Sequence, residues 1–175
     1  MRNLFFALLL LVSSLQVRAD VMDDHIELWN TIKKVGIEVD MNNVMCENKI
    51  FDGLYFAQEK RLIICQDDVD MGGYSPWSAN DYDTLRHEAH HIVQDCSVGG
   101  LGSGYSGTII GINDFERFVD KSDISDKKVH EIITTYTLLE ASPEEILMEI
   151  EAYIVAMTVN PSKIDLKIQE VCIDK

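Results

Sequence analysis

The chain contains no internal repeat, no low-complexity tract and no CxxC pair. Beyond its first twenty residues it has no apolar run long enough to span a bilayer. The first two absences exclude repeat arrays and disordered linkers. The third removes the usual spacing of a zinc knuckle. Positive charge is also scarce: 15 Lys and Arg stand against 30 Asp and Glu, for a formal net charge of -15. Nucleic acids and anionic membranes are polyanions, so neither is an expected partner. The acidic balance favours solubility and mildly favours basic substrates. Histidine is limited to five residues, and only His130 follows the cluster at 87–91.

What is present describes a folded domain. The 175 residues are 46% hydrophobic and 26% charged, which suits one domain or one domain with a lobe on each side of a cleft. The N-terminus stands apart. Arg2 precedes an almost wholly apolar stretch from Leu4 to Leu15, and Val17-Arg18-Ala19 places small residues where a signal peptidase reads. Residues 1–19 are therefore expected to be a secretory signal peptide, and residues 20–175 a single domain that is secreted or periplasmic with no remaining membrane span. Cleavage removes Arg2 and Arg18 and no acid, moving the net charge from -15 to -17. In an exported chain, the four cysteines read as two disulfides. Of three connectivities, Cys46–Cys65 would staple neighbouring strands, and Cys96–Cys172 would tie the chain end to a helix end.

Apolar spacing predicts a helix over 22–36. Strand and turn follow over 44–66, with Leu54–Ala57 and Leu62–Cys65 flanking a polar Gln58–Arg61 as a hairpin. Gly72-Gly73 and Pro76 mark a loop over 67–77, and five glycines in 99–107 mark another. Helices are predicted over 79–96, over 125–140, from Pro143 to about Val159, and in a last short segment reaching Cys172. Ser142-Pro143-Glu144-Glu145 combines an N-cap, a first-turn proline and the third-position acid of a capping box. The fold class is α+β and mainly helical.

The chemistry sits in His87-Glu88-Ala89-His90-His91. On a helix His87 and His91 lie one turn apart on one face, so two imidazoles can share a metal ion. Glu88 lies about 100° round, placed to deprotonate a metal-bound water rather than to ligate. Leu85, Ala89, Ile92, Val93 and Cys96 form the apolar back of the helix; Asn80, Thr84 and Gln94 share the histidine front. His90 is assigned a supporting or surface position. A zinc ion needs a third protein ligand and an open place for water. Glu151 sits among Leu147, Met148, Ile154 and Val155, and a carboxylate in an apolar stripe wants a metal or a cationic partner. Glu149 falls on the other side and reads as solvated. An ion pair from Glu151 to a lysine or arginine is the competing reading.

His87-Glu88-x-x-His91 followed by Glu151-Ala152 on a later helix resembles the gluzincin class of zinc metallopeptidases, in its small form. The resemblance covers roughly residues 50–158; Tyr153 stands where that family frequently has an aspartate. It implies a zincin-like fold with a small antiparallel sheet packed on the HExxH helix. It implies Zn²⁺ held by His87, His91 and Glu151, with Glu88 as the general base of a secreted endopeptidase acting on peptide or protein substrates. Candidates for stabilising the oxyanion are Tyr105, His130 and Arg86, and Arg61 to Gln66 is a candidate edge for aligning substrate. Two other readings stay open: a zinc hydrolase of a non-peptide or cell-wall amide, and a non-catalytic metal-binding or structural protein. Retention of Glu88 speaks against the latter, because binding zinc does not require it.

Overall fold

A computed structural model describes residues 22–48, 51–67 and 76–173. The expected signal peptide and most of the 67–77 loop, including Gly72-Gly73, lie outside the described residues.

Helix α1 spans 22–34. It buries Leu28 and Ile32 and stops at Gly36, whose φ of 90° suits a residue without a Cβ. Strand β1 (Glu38–Met41) follows, then a 3-10 turn at Val44–Asn48, then β2 (Gly53–Phe56) and β3 (Arg61–Ile64). β2 and β3 form the expected hairpin, with Gly53 opposite Ile64 and Phe56 opposite Arg61. β1 pairs in parallel with β3, Glu38 opposite Arg61. The sheet is therefore mixed, in the order β1-β3-β2, and not the antiparallel sheet expected. The centre of the sheet falls to β3 because Leu62, Ile63 and Ile64 form an unbroken apolar run that is buried on both faces. This corrects the candidate edge at Arg61 to Gln66: the strand within it is flanked on both sides, and β2 is the edge strand beside the helices.

Helix α2 (Ala79–Val98) starts at a capping box in which the Asp81 amide donates to Ser78 Oγ at 3.0 Å and the Ser78 amide to Asp81 Oδ2 at 2.7 Å. Its back packs Leu85, Ala89, Ile92 and Val93 onto Leu62, Ile64, Leu28 and Ile32. Helices α3 (Ile112–Lys121), α4 (Asp126–Leu138), α5 (Pro143–Thr158) and α6 (Pro161–Ile168) complete the chain, closed by one π-helical turn at Gln169–Ile173. α5 begins at the predicted Ser142 cap and lies between two apolar clusters. Val155 joins the main core, while Ile150 and Ile154 join Phe115 and Ile132 in a second one.

Both disulfides have the expected connectivity. Cys46–Cys65 ties the segments that leave the parallel neighbours β1 and β3, with Cα atoms 5.4 Å apart. Cys96–Cys172 fastens the closing turn to the end of α2, at 5.3 Å. Among the described residues no helix is long and apolar enough to cross a membrane.

Candidate metal centre

One turn of α2 brings His87 and His91 together with their Nε2 atoms 3.1 Å apart. The third group is Glu149 of α5: its Oε2 lies 3.2 Å from His87 Nε2 and its Oε1 3.4 Å from His91 Nε2. These three are the His/Cys/Asp/Glu group that could hold a metal among the described residues. Zinc–ligand bonds of about 2.0–2.1 Å in a tetrahedron place neighbouring ligand atoms about 3.3 Å apart, so the spacing fits that ion. The donor set of two imidazoles and a carboxylate suits it as well.

The surroundings fix these ligands. His91 Nδ1 lies 2.7 Å from Gln94 Oε1, which directs Nε2 at the cluster. The fully buried Gln94 also donates from Nε2 to the Met148 carbonyl at 3.2 Å, so one amide holds both ligand-bearing helices. The ring of Tyr153 packs edge-on to His87, centroids 4.6 Å apart. His87 Nδ1 is buried without a hydrogen-bond partner. Burial pulls His87 down to about 4 despite the Glu149 carboxylate beside it. At His91 burial also acts to lower the value, but the hydrogen bond and charge of Glu149 outweigh it and lift the imidazole to about 9. Burial acts to raise Glu149, and its hydrogen bonds to the two histidines reverse this and hold it far below the carboxylate range.

Glu88 lies beside the cluster, buried under β2. A Cβ at Gly53 would stand 2.6 Å from Thr84 Cγ2 and 2.8 Å from Glu88 Oε1, so the strand approaches this closely only because residue 53 is glycine. The Tyr55 amide of the same strand donates to the Glu88 carboxylate. Burial raises Glu88 to about 7, against the lowering effects of His91 and that amide. A carboxyl tuned near neutrality is what general acid–base chemistry uses.

The expected third ligand is not brought to the histidine pair. Glu151, 1% exposed, turns to the other side of α5. There its Oε1 meets His90 Nε2 at 2.8 Å, and the amides of Ile109 and Ile110 donate to Oε2 at 3.0 and 3.4 Å. The partner weighed for Glu151 was a lysine or arginine; the residue found there is His90, a buried imidazole whose pKa burial lowers. The apolar stripe misled because α5 packs on both sides: Glu151 is buried, and Glu149, 18% exposed, faces His87 and His91 of α2 and not open solvent.

Of the oxyanion candidates, Tyr105 is 73% exposed in the glycine-rich segment and His130 is exposed on α4. Arg86 is paired to Asp83. None of the three is in the cluster. Tyr136 was missed: it reaches Glu149 from α4, and burial together with that carboxylate pushes its phenol far above the ordinary value. No spacing in α4 marks Tyr136; only the packing of α4 on α5 brings it there.

The chain belongs to the family described as a domain of unknown function (DUF8637), whose model matches residues 8–173. No curated protein matches it. No solved structure matches it.

Proposed function

We propose that this protein is a zinc-dependent hydrolase acting outside the cytoplasm, with a peptide bond as its substrate, a zincin-like helix pair as its frame, and His87, His91 and Glu149 as its metal ligands. The observation that carries the reading is the convergence of two imidazole nitrogens and two carboxylate oxygens at 3.1–3.4 Å, with Glu88 buried alongside. Bound zinc would supply a Lewis acid for the scissile carbonyl and a water of lowered pKa.

The chain's own residues do the rest. Glu88 takes a proton from the attacking water and delivers it to the leaving amine. Gln94 holds the His91 ring in the tautomer that presents Nε2. The phenol of Tyr136, beside Glu149, donates a hydrogen bond to the carbonyl oxygen as charge develops on it. β2, an edge strand next to Glu88, pairs an extended substrate through its main chain. The two disulfides agree with an extracellular or periplasmic destination.

The test is zinc content of the mature chain, purified identically as wild type, His91→Ala, Glu149→Ala and Glu151→Ala. About one zinc per chain is expected in wild type and Glu151→Ala, falling in the other two. No zinc in the wild type after reconstitution overturns the reading. Casein and peptidoglycan fragments, each assayed with wild type and Glu88→Gln, then decide between a peptide and a cell-wall amide.

A further inference from the structure

Away from the metal centre, the two apolar clusters do not close completely on each other. Phe118 packs against both, and at that seam a cavity of about 260 Å³ opens to the surface. Its interior is apolar: Val93 of α2, Val155 of α5, Val159 at the end of α5 and Ile164 of α6 line it with Phe118. The polar side chains at its inner wall are His90 and Glu151, which bond to each other, and Glu151 also accepts from the Ile109 and Ile110 amides. Their polar atoms are thus largely engaged within the protein, and the interior asks for hydrocarbon.

The rim differs. Lys163 and Lys167, one turn apart on α6, both border the opening. Lys167 is 2.9 Å from Glu170 Oε2, and no ion pair of Lys163 is formed among the described residues. In a chain of net charge -15, these two lysines are the cationic side chains that border the apolar cavity. An apolar interior with a few placed polar groups is the usual form of a small-molecule site, although this one falls just under the common range of about 300–1,000 Å³.

We infer that this cavity binds a medium-chain carboxylate amphiphile, its hydrocarbon chain in the seam lined by Phe118, Val155 and Val159 and its carboxylate at Lys163 and Lys167. Hydrocarbon leaving water drives entry, and the lysines select an anionic head over a neutral one. A ligand that fills the seam also joins the two clusters, so it stabilises the native state in proportion to its saturation.

The probe is sodium decanoate below its micelle concentration, titrated into mature protein kept in EDTA so that the carboxylate cannot report on a metal. Binding is followed by calorimetry and by the methyl NMR signals of Val155, Val159 and Ile164. One saturable site is expected, with shifts at those methyls and a rise in Tm. Decanol should bind at least about tenfold more weakly, since a hydrogen-bonded charge discriminates by about 1.4 kcal/mol or more. Lys163→Gln/Lys167→Gln should erase that preference while retaining the chain's contribution, and Val159→Trp should block entry. Decanoate that fails to saturate, or whose shifts fall at His87 and His91 and not at the three valine and isoleucine methyls, overturns the proposal. Equal binding of decanol by the wild type overturns the lysine headgroup site. These outcomes are independent of whether the metal centre holds zinc.

Discussion

The two sides of α5 carry the same chemistry to different ends. Glu149 and Glu151 are both enclosed, and both face histidines of α2. On one side the groups are satisfied: Glu151 is met by an imidazole and two backbone amides. On the other, His87 and His91 point Nε2 atoms at each other and at Glu149, so two ring nitrogens and one carboxylate share a single point with no backbone amide among them. A buried polar group costs free energy unless paired, so the saturated side reads as a structural clamp and the unsaturated one as a seat for a cation. Glu149 keeps 18% of its side chain exposed against 1% for Glu151, and the groups that meet each carboxylate separate the two further.

The comparison breaks first at Glu88. Glu88→Gln should lower the rate of peptide hydrolysis by about 10²–10⁴-fold while zinc content stays at one per chain, because the change removes the base and leaves the ligands. A rate that survives would separate the hydrolysis from this centre. Next comes the clamp. Glu151→Ala should cost about 1–3 kcal/mol or more in urea unfolding, since it strands a buried imidazole and two amides; zinc stoichiometry should hold. Loss of zinc with unchanged stability would exchange the roles of the two acids.

A smaller effect sharpens the cluster side. Gln94→Ala should weaken zinc affinity about 10–100-fold in a chelator competition, the usual cost of losing the partner that orients a ligand histidine. Unaltered affinity would mean that His91 is held by packing alone. The smallest effect belongs to the start of α5. Ser142→Ala should cost about 1 kcal/mol by thermal or urea unfolding. Within that box the Ser142 amide and hydroxyl hold the Glu145 carboxyl below its ordinary value. The folded pKa is depressed, so the contribution of Glu145 is present above the unfolded carboxyl pKa of about 4.3 and disappears as pH falls through the folded value. The stability difference between wild type and Glu145→Gln should therefore shrink between pH 6 and pH 2.

How much of this was legible depends on the range of the signal. The helix cap at Ser142, the 54–65 hairpin and the His87–Glu88–His91 spacing are encoded within a few residues, and all lie where local pattern placed them. The parallel pairing of β1 with β3 was not readable, because register between strands more than twenty residues apart is set by which apolar faces are buried together. α3 carries Phe115, Phe118 and Val119 at helical spacing, a short signal among acidic and basic residues, and no helix was read there. Glu149 was misplaced for a related reason: the rule that a polar strip faces water assumes one buried face, and α5 has two. Tyr136 and the His90–Glu151 pair are meetings between helices and leave no trace in spacing.

The Cys96–Cys172 bond has a consequence for the order of assembly. It joins residues 76 apart, and the ring it closes contains Glu149 while His87 and His91 sit just outside its first link. In the oxidised but unfolded chain the bond shortens the tether between the histidine pair and the acid that must meet it, a restriction of about 4.5 kcal/mol by loop length. In the reduced chain that tether is open, and the effective concentration of Glu149 at the histidines is correspondingly lower. For the proposed metal centre, oxidation would thereby favour assembly, since the oxidised unfolded chain holds the donors on a shorter tether than the reduced one. The staple that fastens the end of the chain thus also draws the histidine pair and Glu149 together before the fold forms.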